Sequence, residues 1–113
     1  MLTFNLKKEW FEKIKSGAKK TEYRDCKDYW FKRIRKIIEN DCCTKSFNIC
    51  EIMPYAFKNP LCCIFRLGYT KTFVKAKIVS VEILDGLNSD LEHKGNVFAI
   101  HFELDEEEGK VKW

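Results

Sequence analysis

The residues best suited to chemistry lie in one short segment that runs from Gly17 to Asp25. Side chains two apart in a strand share a face, so Glu22 and Arg24 are predicted to point the same way. Lys19 is predicted to join them from the turn at Gly17, because glycine lets the chain bend there. An ammonium, a carboxylate and a planar guanidinium fork together suit a phosphate or the edge of a base. A cluster of exposed ion pairs, each contributing under about 1 kcal/mol, explains the same residues equally well.

Three further residues are candidates for the same binding site. Arg66 lies in an otherwise apolar strand, so its head group needs either an anion or a structural ion-pair partner. Tyr69 follows it at a strand end, and Tyr29 is predicted to be exposed at the start of a helix. A tyrosine stacked on a base contributes about 1–3 kcal/mol. His101 is predicted to be a structural histidine, not a general base.

Several well-known motifs of catalytic sites are missing from the sequence. It contains no recognisable Ser-His-Asp arrangement and no phosphate-binding glycine-rich loop. It also lacks the pattern of a zinc deaminase.

Hydrophobic periodicity predicts the elements that must position these residues. Strands are predicted over 2–6, 19–25, 61–67, 73–84 and 97–104, and helices over about 7–16 and 28–39. The apolar phase of the fourth strand changes after Ile78 and resumes at Val79, which predicts a bulge. The order favours an α+β fold, a small curled β-barrel of about five strands with two flanking helices.

The predicted organisation is a single domain over residues 1–104. It contains an irregular, cysteine-containing insert at about 40–60 and is followed by an acidic C-terminal tail at 105–113. The 113 residues carry a net charge of +4 that is unevenly distributed. Residues 1–77 have 18 Lys/Arg against 8 Asp/Glu, whereas residues 78–113 have 3 against 9. A basic body predicts a polyanionic partner, although an ordinary solvated surface also accounts for it.

The composition also indicates which cellular compartment to expect and whether a cofactor is expected. No apolar run reaches the roughly 18–20 residues of a membrane span, and no secretory signal is recognisable, so a cytoplasmic protein with no membrane partner is predicted. Reduced thiols are then expected at all six cysteines. Adjacent Cys-Cys pairs differ from the zinc-binding C-x-x-C pattern, so no metal or other cofactor is predicted. The cysteines are Cys26, Cys42, Cys43, Cys50, Cys62 and Cys63.

The segment described first resembles the signature of a known family. Gly17, Lys19, Glu22 and Arg24 match the G-x-K-x-x-E-x-R signature of the ASCH domain, and they follow a first strand and helix as they do in that family. LTFNLKKEWFEKIKSG, FRLGY and VFAIHFEL also look like the family, so the resemblance covers nearly the whole chain apart from 40–60 and the tail. ASCH domains resemble PUA domains, small β-barrels that bind RNA. The resemblance implies a ligand cleft between the first helix and the barrel, lined by Lys19, Glu22 and Arg24.

One branch of the ASCH family is similar to an amidohydrolase that removes the acyl group from N4-acetylcytidine. In that branch a threonine three residues after the signature lysine acts with the lysine and a downstream glutamate. The matching position here is Glu22, and Thr21 is one residue early, so Thr21 is predicted to face the opposite way. Asp90 and Glu92 stand where a downstream carboxylate would lie, but no motif assigns them that role.

The sequence therefore predicts a module that binds RNA or a nucleotide-like ligand through the cationic cleft. The alternative is a small hydrolase that acts on a modified nucleoside or on RNA, with Lys19 and Glu22 as its catalytic residues. A third interpretation is an interaction module that binds an unidentified protein through the 40–60 segment or the acidic tail.

Overall fold

Five strands form one mixed sheet that curls into a half-barrel, and three α-helices accompany it in the computed structural model. The predicted α+β class and curled sheet are confirmed. The structure describes residues 2–89 and 95–105, so most of the predicted acidic tail lies outside the described residues. The strands are β1 (Leu2–Leu6), β2 (Thr21–Asp25), β3 (Tyr55–Leu67), β4 (Phe73–Asp85) and β5 (Asn96–Leu104), and the helices are α1 (Lys8–Lys15), α2 (Asp28–Cys42) and α3 (Ile49–Ile52).

The order of the strands in the sheet places β1 and β2 at its two edges. The order is β1-β3-β4-β5-β2, with β1 parallel to β3 and every other pair antiparallel. Because the sheet curls, the two edge strands approach each other across the open side of the half-barrel. The guanidinium carbon of Arg24 on β2 lies 5.2 Å from the ring centroid of Phe4 on β1. Among the described residues, no helix is long and apolar enough to cross a membrane.

The first strand and helix form as their patterns predict. In β1 the side chains alternate, so Phe4 is fully buried whereas Asn5 is exposed. Helix α1 buries Phe11 and Ile14, which are three residues apart and therefore lie on one face. The chain leaves the helix at Gly17, whose φ of 84° is a conformation that other residues rarely adopt.

The predicted bulge in β4 is confirmed. Val79 has no partner in β5, because the register shifts between Ile78 and Ser80. Before the bulge the buried side chains are Ala76 and Ile78, and after it the buried phase resumes at Val81. One extra residue thus returns the apolar side chains to the core and adds curvature to the sheet.

The irregular stretch predicted at about 40–60 is much shorter than expected. Helix α2 continues to Cys42, a short α3 follows, and β3 begins at Tyr55 instead of residue 61. Pro60 favoured a later start, because proline cannot donate to a strand ladder. The register between β3 and β4 shifts between Ala56 and Leu61, so Pro60 lies in the irregular part of the strand.

Asp41 stabilises this irregular part of β3. Its carboxylate accepts hydrogen bonds from the Tyr55 hydroxyl (2.5 Å) and from the backbone amides of Lys58 (2.8 Å) and Asn59 (3.0 Å). Partial burial raises the pKa of Asp41, but these hydrogen bonds outweigh it and hold the pKa below its ordinary value. The carboxylate therefore joins the end of α2 to the beginning of β3.

Replacing Asp41 by alanine is expected to lower the free energy of unfolding by about 1–2 kcal/mol at neutral pH, since three acceptor contacts are lost. A group whose pKa is lowered on folding stabilises the protein above its unfolded pKa. This contribution is lost as the pH falls through the folded pKa. The difference between wild type and Asp41→Ala in urea unfolding should therefore shrink in acid. Asn40→Ala, an exposed neighbour on α2, is the control, and an equal loss in both variants would contradict this role.

The six cysteines are free thiols that differ in accessibility. Cys63 is buried in the core, and burial raises its pKa to about 12. Burial, with smaller contributions from Cys50 and Asp25, raises the pKa of Cys26 to about 11. In contrast, Cys43 and Cys62 are exposed.

These differences predict two classes of thiol in a titration with a disulfide reagent at mildly alkaline pH. The exposed Cys43, Cys50 and Cys62 should react rapidly in the native protein, whereas Cys26 and Cys63, whose thiol pKa values are raised, should react slowly until the protein is denatured. Peptide mapping of the labelled sites checks the assignment. Rapid labelling of Cys63 in the folded protein would show that the core around it opens readily.

Candidate ligand-binding cleft

The structure brings Lys19, Glu22 and Arg24 together at the gap between the edge strands. Glu22 and Arg24 belong to β2, and Lys19 precedes that strand after the turn at Gly17. The amide of Lys19 donates to the carbonyl of Lys13 (3.0 Å), which ties this turn to α1. The turn thus carries Lys19 back toward the strand, as the glycine predicted.

Glu22 is the centre of the cluster. The residue is only 3% exposed, and one carboxylate oxygen accepts from Lys19 Nζ (3.0 Å) and from the Tyr23 amide (2.9 Å). The other oxygen lies 3.1 Å from Nη1 of Arg24 in an ion pair. A buried carboxylate is costly unless it is paired, and here two cations compensate it. The cluster is therefore partly buried, unlike the exposed ion pairs of the alternative interpretation.

Both cations lie against aromatic rings. The ammonium of Lys19 lies 4.5 Å from the ring centroid of Trp10 on α1. The guanidinium carbon of Arg24 lies 5.2 Å from the ring of Phe4 and 5.3 Å from that of Trp30. These two rings are themselves stacked, with centroids 5.2 Å apart. Cation–π contacts of this kind fix the positions of the cations and contribute about 1 kcal/mol each.

The three side chains line an open cavity of about 460 Å³ between β1, α1 and β2. The other lining residues are Asn5, Leu6, Lys7 and Trp10. Sequence reasoning missed these four as site residues, although they lie in the strand and helix that precede the signature. The available signals were Asn5, a polar residue near the end of an alternating strand, and Lys7, a basic residue directly after that strand.

The other predicted site residues lie outside this cavity. Arg66 is the register partner of Asn5, and its buried Nε has no hydrogen-bond partner among the described residues. Tyr69 is 91% exposed beyond the end of β3. Tyr29 is 57% exposed and carries the guanidinium of Arg33, whose carbon is 3.7 Å from its ring centroid. Of these three, Arg66 is adjacent to a residue that lines the cleft.

The side chain of Thr21 lies on the opposite face of the sheet from that of Glu22. Its hydroxyl lies 2.9 Å from Nδ1 of His101 on β5, whereas the neighbouring Glu22 is buried toward the core. Asp90 and Glu92 lie outside the described residues. No group of three or more His, Cys, Asp or Glu side chains within 2–89 and 95–105 is placed to hold a metal ion.

No protein-family model matches the chain, and no curated protein matches it. The residues of the cleft are therefore the guide to its function.

Glu22→Gln is expected to destabilise the protein by about 2–3 kcal/mol, because it removes the charge that compensates two partly buried cations. The measurement is urea unfolding at neutral pH. Glu12→Gln, an exposed carboxylate on α1, should change the stability by less than about 0.5 kcal/mol. Equal stability of the two variants would mean that Glu22 does not hold the cluster together.

Proposed function

We propose that this cleft binds the phosphate and base of a nucleotide or of single-stranded RNA. The observation that carries the proposal is the pair of cations held by Glu22 beside the wall formed by Trp10. Among the described residues that line the cavity, Lys7, Lys19 and Arg24 carry positive charge, and Glu22 carries negative charge. The cavity therefore favours an anion, and Trp10, whose ring also contacts Lys13 and Lys19, adds aromatic surface to its lining.

Arg24 is the residue best placed to bind a phosphate. Its Nη1 donates to the Tyr23 carbonyl (2.8 Å) and pairs with Glu22. Within the described part of the chain its contacts to polar groups use Nη1, which leaves Nη2 and Nε as donors for a ligand. Because Glu22 already orients the guanidinium, little side-chain entropy is lost when an anion binds.

The arrangement supports membership of the ASCH family and a PUA-like barrel as part of the same proposal. A strand, a helix, a glycine with positive φ and a second strand occur in the order that the resemblance implies. Tyr29, Tyr69 and Arg66 are peripheral contacts for a longer RNA, with Tyr29 as a surface on which a base stacks. Six free thiols support a reducing, cytoplasmic location.

A hydrolase that uses Lys19 and Glu22 is less well supported. The two side chains are paired at 3.0 Å, but both already serve to balance charge in the cluster. Thr21, the nearest hydroxyl in sequence, does not line this cleft. Incubation with N4-acetylcytidine and with RNA, followed by chromatography, tests this alternative. Turnover that is lost in Lys19→Ala would replace the binding proposal by the enzymatic one.

The binding proposal is tested by fluorescence anisotropy with a short labelled oligouridine at low and high salt. Binding is expected at low salt and should weaken as salt rises, because phosphate contacts release counterions. Arg24→Ala should weaken binding about tenfold or more, as expected for the loss of a charged hydrogen bond.

Lys7→Ala and Lys8→Ala form a matched pair that separates site contacts from general charge. Both residues are exposed and adjacent, but Lys7 lines the cleft and Lys8 does not. Neither contacts Glu22, so folding should be preserved. Only Lys7→Ala is expected to weaken binding several-fold. No binding at low salt, or equal effects of the two variants, would overturn the proposal.

A further inference from the structure

A second group of reactive side chains lies on the opposite face of the sheet from the cleft. Thr21 on β2 is the register partner of His101 on β5, and Glu82 on the adjacent β4 is the partner of Ala99. All three point away from the side of the sheet on which Glu22 is buried, because side chains alternate along each strand. Residues far apart in the sequence are thus neighbours on three adjacent strands.

The three side chains form a continuous chain of polar contacts. Thr21 Oγ1 lies 2.9 Å from His101 Nδ1, and His101 Nε2 lies 3.3 Å from a carboxylate oxygen of Glu82. A carboxylate can only accept, so this contact favours the imidazole proton on Nε2. Nδ1 is then the acceptor, and the threonine hydroxyl donates to it. This is the proton arrangement that a hydroxyl nucleophile and its general base require.

The hydroxyl and the imidazole open onto a second cavity of about 530 Å³, which shares Lys19 with the cleft. Thr21 and His101 both line this cavity, whereas Glu82 does not, so the carboxylate lies behind the imidazole. The bulged Val79 and Leu104 add apolar surface to the lining, and its charged residues are Lys19, Lys20 and Glu103. The cavity thus combines a hydroxyl–imidazole pair with room for a small acyl group.

We infer that this site transfers acyl groups from small esters, with Thr21 as nucleophile, His101 as general base and Glu82 as the positioning residue. The Thr21 oxygen forms a bond to the acyl carbon while its proton passes to Nδ1 of His101. The bond to the leaving alcohol breaks, and the alcohol oxygen takes that proton from His101. Water then attacks the threonyl ester while its proton passes to Nδ1 of His101. The bond between Thr21 Oγ1 and the acyl carbon breaks, Oγ1 takes that proton from His101, and the carboxylic acid leaves.

The site is tested on the full chain with p-nitrophenyl acetate as the probe. The expected result is an acetyl group on Thr21, found by peptide mass spectrometry after a short incubation, together with release of nitrophenolate. Thr21→Val keeps the shape of the side chain but lacks the hydroxyl, and it should lower the rate at least about tenfold. Ser80→Ala is the matched control, because Ser80 is the register partner of His101 on β4 and should be dispensable.

Two further variants examine the imidazole and the carboxylate. His101→Gln should abolish acetylation of Thr21, whereas Glu82→Gln should lower kcat and leave KM unchanged, since Glu82 does not line the cavity. Thermal unfolding confirms that each variant is folded. Acetylation only at lysines or at His101, or an unchanged rate in Thr21→Val, would overturn the inference. It would show that the contacts among Thr21, His101 and Glu82 are structural cross-strand contacts. Binding of RNA at the cleft is not affected by either result.

Discussion

The structure depends on the buried carboxylate of Glu22, which lies at the gap between its two edge strands. A half-barrel leaves β1 and β2 unpaired with each other, and the side chains between them must fill that gap. Glu22 is buried there, which is tolerable only because Lys19 and Arg24 compensate its charge. Arg24 in turn rests on Phe4 of β1, so the ion cluster spans the gap and connects the strands. The interaction that connects the edge strands is also the one that positions the two cations in the cleft.

The cost of this arrangement explains the aromatic residues around it. Arginine and lysine lose hydration when they approach a buried carboxylate, and aromatic faces recover part of that loss through cation–π contacts. Trp10 makes a cation–π contact with Lys19, and Trp30 stacks on Phe4 while it contacts Arg24. A helix face that the sequence pattern assigns to the core therefore also supports the site.

Strand β2 contributes side chains to both faces of the sheet, so it borders both cavities. Glu22 points to the core and the cleft, whereas Thr21 points to the opposite face and contacts His101. Lys19 lines both cavities from the turn that precedes the strand. The bulge at Val79 shifts the register of β4 beside this second cavity. Local irregularity and candidate chemistry therefore coincide, as they often do in sheets.

Local patterns in the sequence determined the alternation of β1, the helix that stops before Gly17, the bulge after Ile78 and the grouping of Lys19, Glu22 and Arg24. Each depends on neighbours a few residues apart, which periodicity records. Only the tertiary structure decided that β3 begins at Tyr55, since Asp41 binds amides seventeen and eighteen positions away. It also decided that Thr21 meets His101, which is 80 residues distant. Periodicity states which face a side chain occupies, whereas strand order and register determine which side chain it meets there.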